Sequence, residues 1–391
     1  MFTLLLFILV LSLLVFVHEF GHFLAARKTG MKVHEFAIGF PPMAIGVYRD
    51  PATKKFVFVR GKSARALLKA GGGEETEEGQ YPATLYSLNW LPLGGFCKIK
   101  GENGEQALAT DSFGYQKTWK KVVVLVAGVT MNFLLAALVL GIGFLIGLPT
   151  DISGGLPDGV KLVEAPQVFI QQVESGSAAE EAGVKFGDKI FKIDGVVLQN
   201  SAELVKIIGE TPLQSHTLTL LREGQELEVT LQSRVQSADE KPRLGVVLAD
   251  LAIVKYPWYS AFIQGLLAAF SGLVGIFVSF FLLIKGFIFG NGLAFEVSGP
   301  VGIAGLIGDS ARLGFHYLLS ITAMISLSLA AINILPIPAL DGGRLLFVLI
   351  EKVIGRPVSK KYEQMAHTIG FVLLMALIIV VTFRDVRGLI Q

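Results

Sequence analysis

FTLLLFILVLSLLVFVHEFGH, residues 2–22, decides the reading of this chain. Phe2–Val17 carries no charge, and then His18, Glu19 and His22 arrive within five positions. On a helix, positions i and i+4 share a face, so both imidazoles can reach one ion. Glu19 stands beside them to take a proton from an attacking water. This HExxH pattern suits Zn²⁺. Ionisable groups at membrane depth are costly and usually face a protein interior or a water cavity. Residues 1–17 have no basic leader and no small-residue cleavage site, so we read residues 1–26 as a retained spanning helix rather than a signal peptide.

Of the 391 residues, 52% are hydrophobic and 17% charged, with mean hydropathy +0.60. A soluble domain has nearer a quarter charged. Four further apolar runs follow, at Val122–Leu148, Trp258–Ile284, Leu313–Leu340 and Thr368–Phe383, each a candidate span. The fold class expected is therefore a polytopic α-helical membrane protein. A net charge of +2 gives no reason to expect a nucleic-acid partner. The single cysteine, Cys97, excludes an internal disulfide framework and reads as a small hydrophobe.

Lys and Arg cluster between the first two runs (Arg27, Lys28, Lys32, Lys117, Lys120, Lys121). The positive-inside rule then puts residues 27–121 in the cytoplasm and those from about 150 outside. Residues 165–250 change character. Val168–Val173, Lys189–Ile193, Thr217–Leu221 and Glu226–Leu231 alternate as strands. Asp194-Gly195 and Glu223-Gly224 signal turns, and Ser201–Ile208 reads as a short helix with Ser201 as N-cap. This is a small α+β domain outside the membrane. Gly71–Gly79 (GGGEETEEG) reads as a solvated insertion, Glu296 as interfacial, and His34, His216, His316 and His367 as non-ligands.

A catalytic zinc site needs three protein ligands and an open position. A second informative stretch, NILPIPALDGG at 333–343, places a carboxylate, Asp341, at the end of an apolar run. Pro336 and Pro338 break the helix there. The backbone groups so freed are tolerable only inside protein or beside a water cavity.

HExxH in the first apolar helix together with NxxPxPxLDGG in a late one resembles the site-2 protease family of intramembrane zinc metalloproteases, in its bacterial regulator-of-sigma-E (RseP-type) branch. Pro92–Phe96 (PLGGF) resembles that family's membrane re-entrant β-hairpin, placed at about 85–101. Gly128–Asn132 is similar to its GxxxN motif and Ser298–Ile303 to a segment before its third core helix. Glu174–Gly195 is similar to a bacterial PDZ domain. The resemblance implies zinc ligands His18, His22 and Asp341, with Glu19 as general base. Asn333, Pro336, Pro338, Asn132, Gly94 and Gly95 would line the substrate path, with Gly128 and Asn132 packing helices or touching substrate. Implied partners are the lipid bilayer and single-span membrane proteins, such as anti-sigma factors and remnant signal peptides. The implied location is multi-pass in the inner (plasma) membrane, with the site near the cytoplasmic face and one PDZ domain outside gating substrate access.

Parity constrains the topology. Spans at 1–26, 122–148, 313–341 and 368–383 bring the HExxH helix and Asp341 to one face only if residues 258–289 do not cross once. That segment is expected on the outer interface, oblique, or folded back as a re-entrant pair, giving four true spans. The alternative reading is a non-catalytic membrane PDZ scaffold with a vestigial metal site. A transporter is weaker, since no inverted pair of interrupted helices accompanies Pro336 and Pro338.

Overall fold

The computed structural model describes residues 2–60, 81–103, 108–157, 159–174, 176–211, 213–222, 224–233, 243–289, 298–356 and 358–390. The Gly71–Gly79 insertion, Glu223 and Glu296 lie outside these. Two compact units emerge: Met1–Val139 with Leu266–Arg312 and Ile321–Gln391, and Leu140–Gly265 with Leu313–Ser320.

The first unit begins with α1 (Phe2–Lys28), an uninterrupted helix, the form in which interior backbone groups bond within the segment as lipid demands. Gly30 closes it in the left-handed region (φ +84°), and the Met31 N–H donates to Ala26 O at 2.8 Å. A three-stranded sheet follows: β1 (Val33–Arg49), β2 (Phe56–Arg60) and β3 (Leu85–Ile99), ordered β2-β1-β3. Ala37 of β1 faces both Phe96 and Ser87 of β3. So β3 doubles back, and residues 35–38 lie between its two arms. The sequence reading of 85–101 as a hairpin missed β1 as its partner, because the β1 stretch Val33–Arg49 mixes Gly39, Pro41 and Pro42 with its apolar residues. At the bend, Pro92 O accepts from Ser12 Oγ of α1 at 2.5 Å.

The long helix α2 (Thr118–Ile146) packs on α1. Phe23, Ala26, Met31, Val33, Phe36, Ile99, Phe113, Val124, Leu125 and Val348 form one buried cluster joining α1, the sheet and α2 to a later helix.

The second unit holds β4 (Leu148–Asp151), β5 (Lys161–Leu162), β6 (Gln167–Val173), α3 (Ala178–Glu181), β7 (Lys189–Ile193), β8 (Val196–Val197), α4 (Ser201–Glu210), β9 (Ser215–Arg222), β10 (Gln225–Gln232) and β11 (Val246–Lys255). The sheet runs β10-β9-β7-β6-β11-β4 over a core of Val168, Ile170, Ile190, Ile193, Leu204, Ile208, Leu218 and Leu220. Three of the four predicted strands extend by one to three residues, and the fourth coincides with β7. The N-cap of α4 is Asn200, not Ser201: its side chain accepts from Glu203 N, while the Ser201 hydroxyl donates to Asp250 at 2.8 Å.

The remaining helices are α5 (Trp258–Phe289), α6 (Pro300–Leu313), α7 (Phe315–Ile334), α8 (Asp341–Ile354) and α9 (Lys360–Ile390). By length and composition five described helices can cross a membrane: Phe2–Lys28, Thr118–Ile146, Trp258–Gly286, Phe315–Ile334 and Lys360–Arg387. Because α5 is one continuous helix, it is not a re-entrant pair of helices. The expected single helix through Leu340 stops at Ile334, because Pro336 and Pro338 can neither donate nor continue it. Asp341 therefore starts α8 rather than ending the apolar run.

At the far end of the chain, Asp385 Oδ2 accepts the Gly299 and Gly302 N–H groups at 2.9 and 2.8 Å, tying the start of α6 to α9. Asp385→Ala leaves these amides without their acceptor and should cost about 1–3 kcal/mol. A lowered melting temperature of the purified protein, partly regained in Asp385→Asn, is expected; no change in Asp385→Ala would refute the tie.

In the second unit, burial alone would raise the Asp194 carboxyl, but the His216 ring and the Thr217 amide reverse this and hold it below the usual carboxylate value. A depressed folded-state value stabilises above the unfolded value of about 3.9 and is lost as pH falls through the folded one. The unfolding midpoint of this unit should therefore drop on going from pH 5 to pH 3. The drop should be shallower in Asp194→Asn, as followed by urea titration.

Candidate metal centre

α1 presents His18 and His22 one turn apart, each 7% exposed. Asp341 reaches them from the first position of α8, 323 and 319 residues away in sequence. Its Oδ2 lies 3.0 Å from His18 Nε2 and 3.2 Å from His22 Nε2, and the two Nε2 atoms are 3.2 Å apart. These edges fit a shared ion: ligand atoms about 2.1 Å from a tetrahedral Zn²⁺ stand roughly 3.4 Å apart. Two imidazole nitrogens and one carboxylate oxygen are also a borderline-soft donor set that suits zinc. Among the described residues this is the one group of three or more His, Cys, Asp or Glu able to hold a metal.

The surrounding bonds select the tautomers that such an ion needs. His22 Nδ1–H donates to Val124 O at 2.8 Å, leaving Nε2 with its lone pair inward. Asn132, fully buried on α2, sits with its amide 3.4 Å from His18 Nδ1, and its Oδ1 has no other partner. A half turn of that amide lets Oδ1 accept from His18 Nδ1–H and frees Nε2 in the same way. The Asn132 backbone carbonyl accepts from Ser326 Oγ of α7 at 2.8 Å. Asn132 thus faces the histidine and not a surface. Glu19 stands half-buried within electrostatic reach of His18, His22 and Asp341.

Gly128 is what lets α2 come this close. A Cβ there would lie 2.5 Å from His22 Nε2 and 2.8 Å from His18 Nε2. On the opposite side, a Cβ on Gly342 would meet Leu335 O at 2.1 Å and Ile334 O at 2.3 Å, so the turn before α8 folds tightly onto the end of α7.

Of the other expected site residues, Asn333 is half-buried in the last turn of α7. Pro336 and Pro338 lie in the turn between α7 and α8. Gly94 and Gly95 are buried in the returning arm of β3, where Gly95 pairs with Ile38. Sequence reasoning did not single out Val124 or Ser326, whose contributions are a backbone carbonyl and a helix-packing hydroxyl; neither leaves a motif.

The model of peptidase family M50 matches residues 6–59 and 69–377. The chain belongs to peptidase family M50. It is 30% identical to a protein of Agrobacterium fabrum provisionally named a zinc metalloprotease, over 98% of this chain and 95% of that one. It is 26% identical to the regulator of sigma-W protease RasP of Bacillus subtilis, over 99% of both. The PDZ domain of an SdrC-like protein from Listeria monocytogenes overlaps 21% of this chain and 85% of that one, at 18% identity and TM-score 0.20. As an M50 peptidase, the chain is a multi-pass membrane zinc metalloprotease of the type that carries out regulated intramembrane proteolysis.

Gly128→Val should place a side chain where the ion would sit. Zinc bound per chain, measured by elemental analysis of the purified protein, is expected to fall to background. Retention of one equivalent would exclude this geometry.

Proposed function

We propose that His18, His22 and Asp341 hold Zn²⁺ and that Glu19 is the general base for cleavage of single-span membrane proteins at a site below the cytoplasmic lipid surface. The convergence of two imidazoles and one carboxylate at 3.0–3.2 Å, at the charged end of an otherwise apolar helix, carries this reading. A zinc ion so held supplies a Lewis acid that polarises a peptide carbonyl and acidifies water. Glu19 then takes the proton of the attacking water and passes it to the departing amine. Asn132 and Val124 fix the two imidazole orientations.

A substrate helix must unwind first, since its carbonyls are bonded within the helix. An extended stretch can add to the returning arm of β3, which among the described residues has β1 on one side only. Ile38, Phe40, Leu88, Trp90 and Leu91 expose apolar surface around this sheet, and its bend is bonded to Ser12 in the middle of α1. Both features favour a sheet that dips into lipid, with Gly94 and Gly95 on the strand that meets substrate and Asn333, Pro336 and Pro338 bounding the path opposite. The outer domain, read as PDZ-like, would admit only substrates already shortened outside, such as anti-sigma factors or remnant signal peptides.

Four crossings suit the contacts. Tyr256, just before α5, bonds to Phe144 near the outer end of α2. The start of α6 is held by Asp385 near the end of α9, and Gly308 of α6 abuts Thr3 at the start of α1. With Arg27 and Lys28 putting the far end of α1 inside, the contact of Thr3 with Gly308 falls on the outer side.

Glu19→Gln should retain zinc yet lose cleavage of a model single-span substrate in detergent or liposomes by about 10²–10⁴-fold. Undiminished turnover would sink the assignment.

A further inference from the structure

The turn that delivers Asp341 is short of its own hydrogen bonds. Pro336 and Pro338 have no N–H, and the bonds inside the turn are Ile337 N–H to Leu335 O (2.7 Å) and Leu340 N–H to Ile337 O (3.2 Å). Between them Ala339 adopts φ +82°, a region disfavoured for any residue with a Cβ. A strained residue persists only when its surroundings hold it.

The holding group comes from α9. The Ala339 N–H donates to His367 Nδ1 at 2.8 Å, across 28 residues. Nearby, Gly370 of α9 lies so close that a Cβ would sit 2.4 Å from Pro338 O, and Phe347 of α8 flanks the His367 ring at 5.7 Å between centroids. An imidazole that accepts at Nδ1 carries its proton on Nε2, and His367 Nε2 is buried without a partner. Packing alone would not aim the ring's lone pair at a strained amide two residues from the carboxylate.

We infer that His367 is a positioning residue: by accepting the Ala339 N–H it holds the strained turn and so aims the Asp341 carboxylate at the two imidazoles. This rests on the reading of those three side chains as zinc ligands. Rotation about Ala339 swings everything that follows, and a coordination bond tolerates only a few tenths of an ångström. An asparagine can offer its amide oxygen where Nδ1 stands, whereas leucine offers packing and no acceptor. A glycine at 339 adopts positive φ without strain, so the turn then has less need of the bond.

The test uses the purified full-length protein in detergent. Zinc per chain is measured after dialysis against increasing amounts of a competing chelator, with kcat and KM on a single-span substrate alongside. His367→Leu is expected to weaken zinc retention by about tenfold or more, as is usual when a group supporting a ligand is removed, and to lower kcat more than it raises KM. His367→Asn should retain zinc close to the wild type. Ala339→Gly introduced into His367→Leu should restore much of the loss. Equal retention by wild type and His367→Leu would overturn the inference, and so would a loss that neither second change repairs. A wild-type chain that binds no zinc would overturn the ligand reading itself, and this one with it.

Discussion

An acidic oxygen and two imidazole nitrogens held within 3.2 Å of one another, beside an apolar helix, make the most demanding contact in the chain. In water such groups could drift apart and be solvated. At membrane depth each must be satisfied by protein or by an ion they share. The partners lie more than 300 residues apart in sequence, so the intervening chain has to return to the same face and end its third core helix, α7, within a few ångströms of the first. The glycine on α2 that admits the histidines, the prolines that stop α7 and the tight Gly342 turn all serve this meeting.

Much of that was legible beforehand because membrane sequences are written in coarse letters. Uncharged runs of sufficient length give the helices, and a run of His, Glu and His stands out against Leu and Phe. The residues at the candidate metal centre were visible because they are chemically unlike their surroundings. Asn132 was visible as a motif, but not its orientation: nothing in a linear sequence separates an amide that faces a histidine from one that joins two helices.

What escaped was carried by the backbone or by tertiary packing. β1 contains the helix and strand breakers Gly39, Pro41 and Pro42, so its 17 residues do not alternate as an open strand would. The end of α7 and the start of α8 were read as one run because apolar residues continue through Ile337 and Leu340; the missing N–H groups of two prolines decided otherwise. Asn200 displaced Ser201 as the cap of α4 because Asp250, distant in sequence, claims the serine hydroxyl.

The sequence separation of the cluster also bears on biogenesis. α1, with both histidines, leaves the ribosome more than 300 residues ahead of Asp341. Over that interval the nascent chain carries two imidazoles without the aspartate that completes their set. A membrane hydrolase built in this order stays inert beside the insertion machinery until its distant carboxylate has been made.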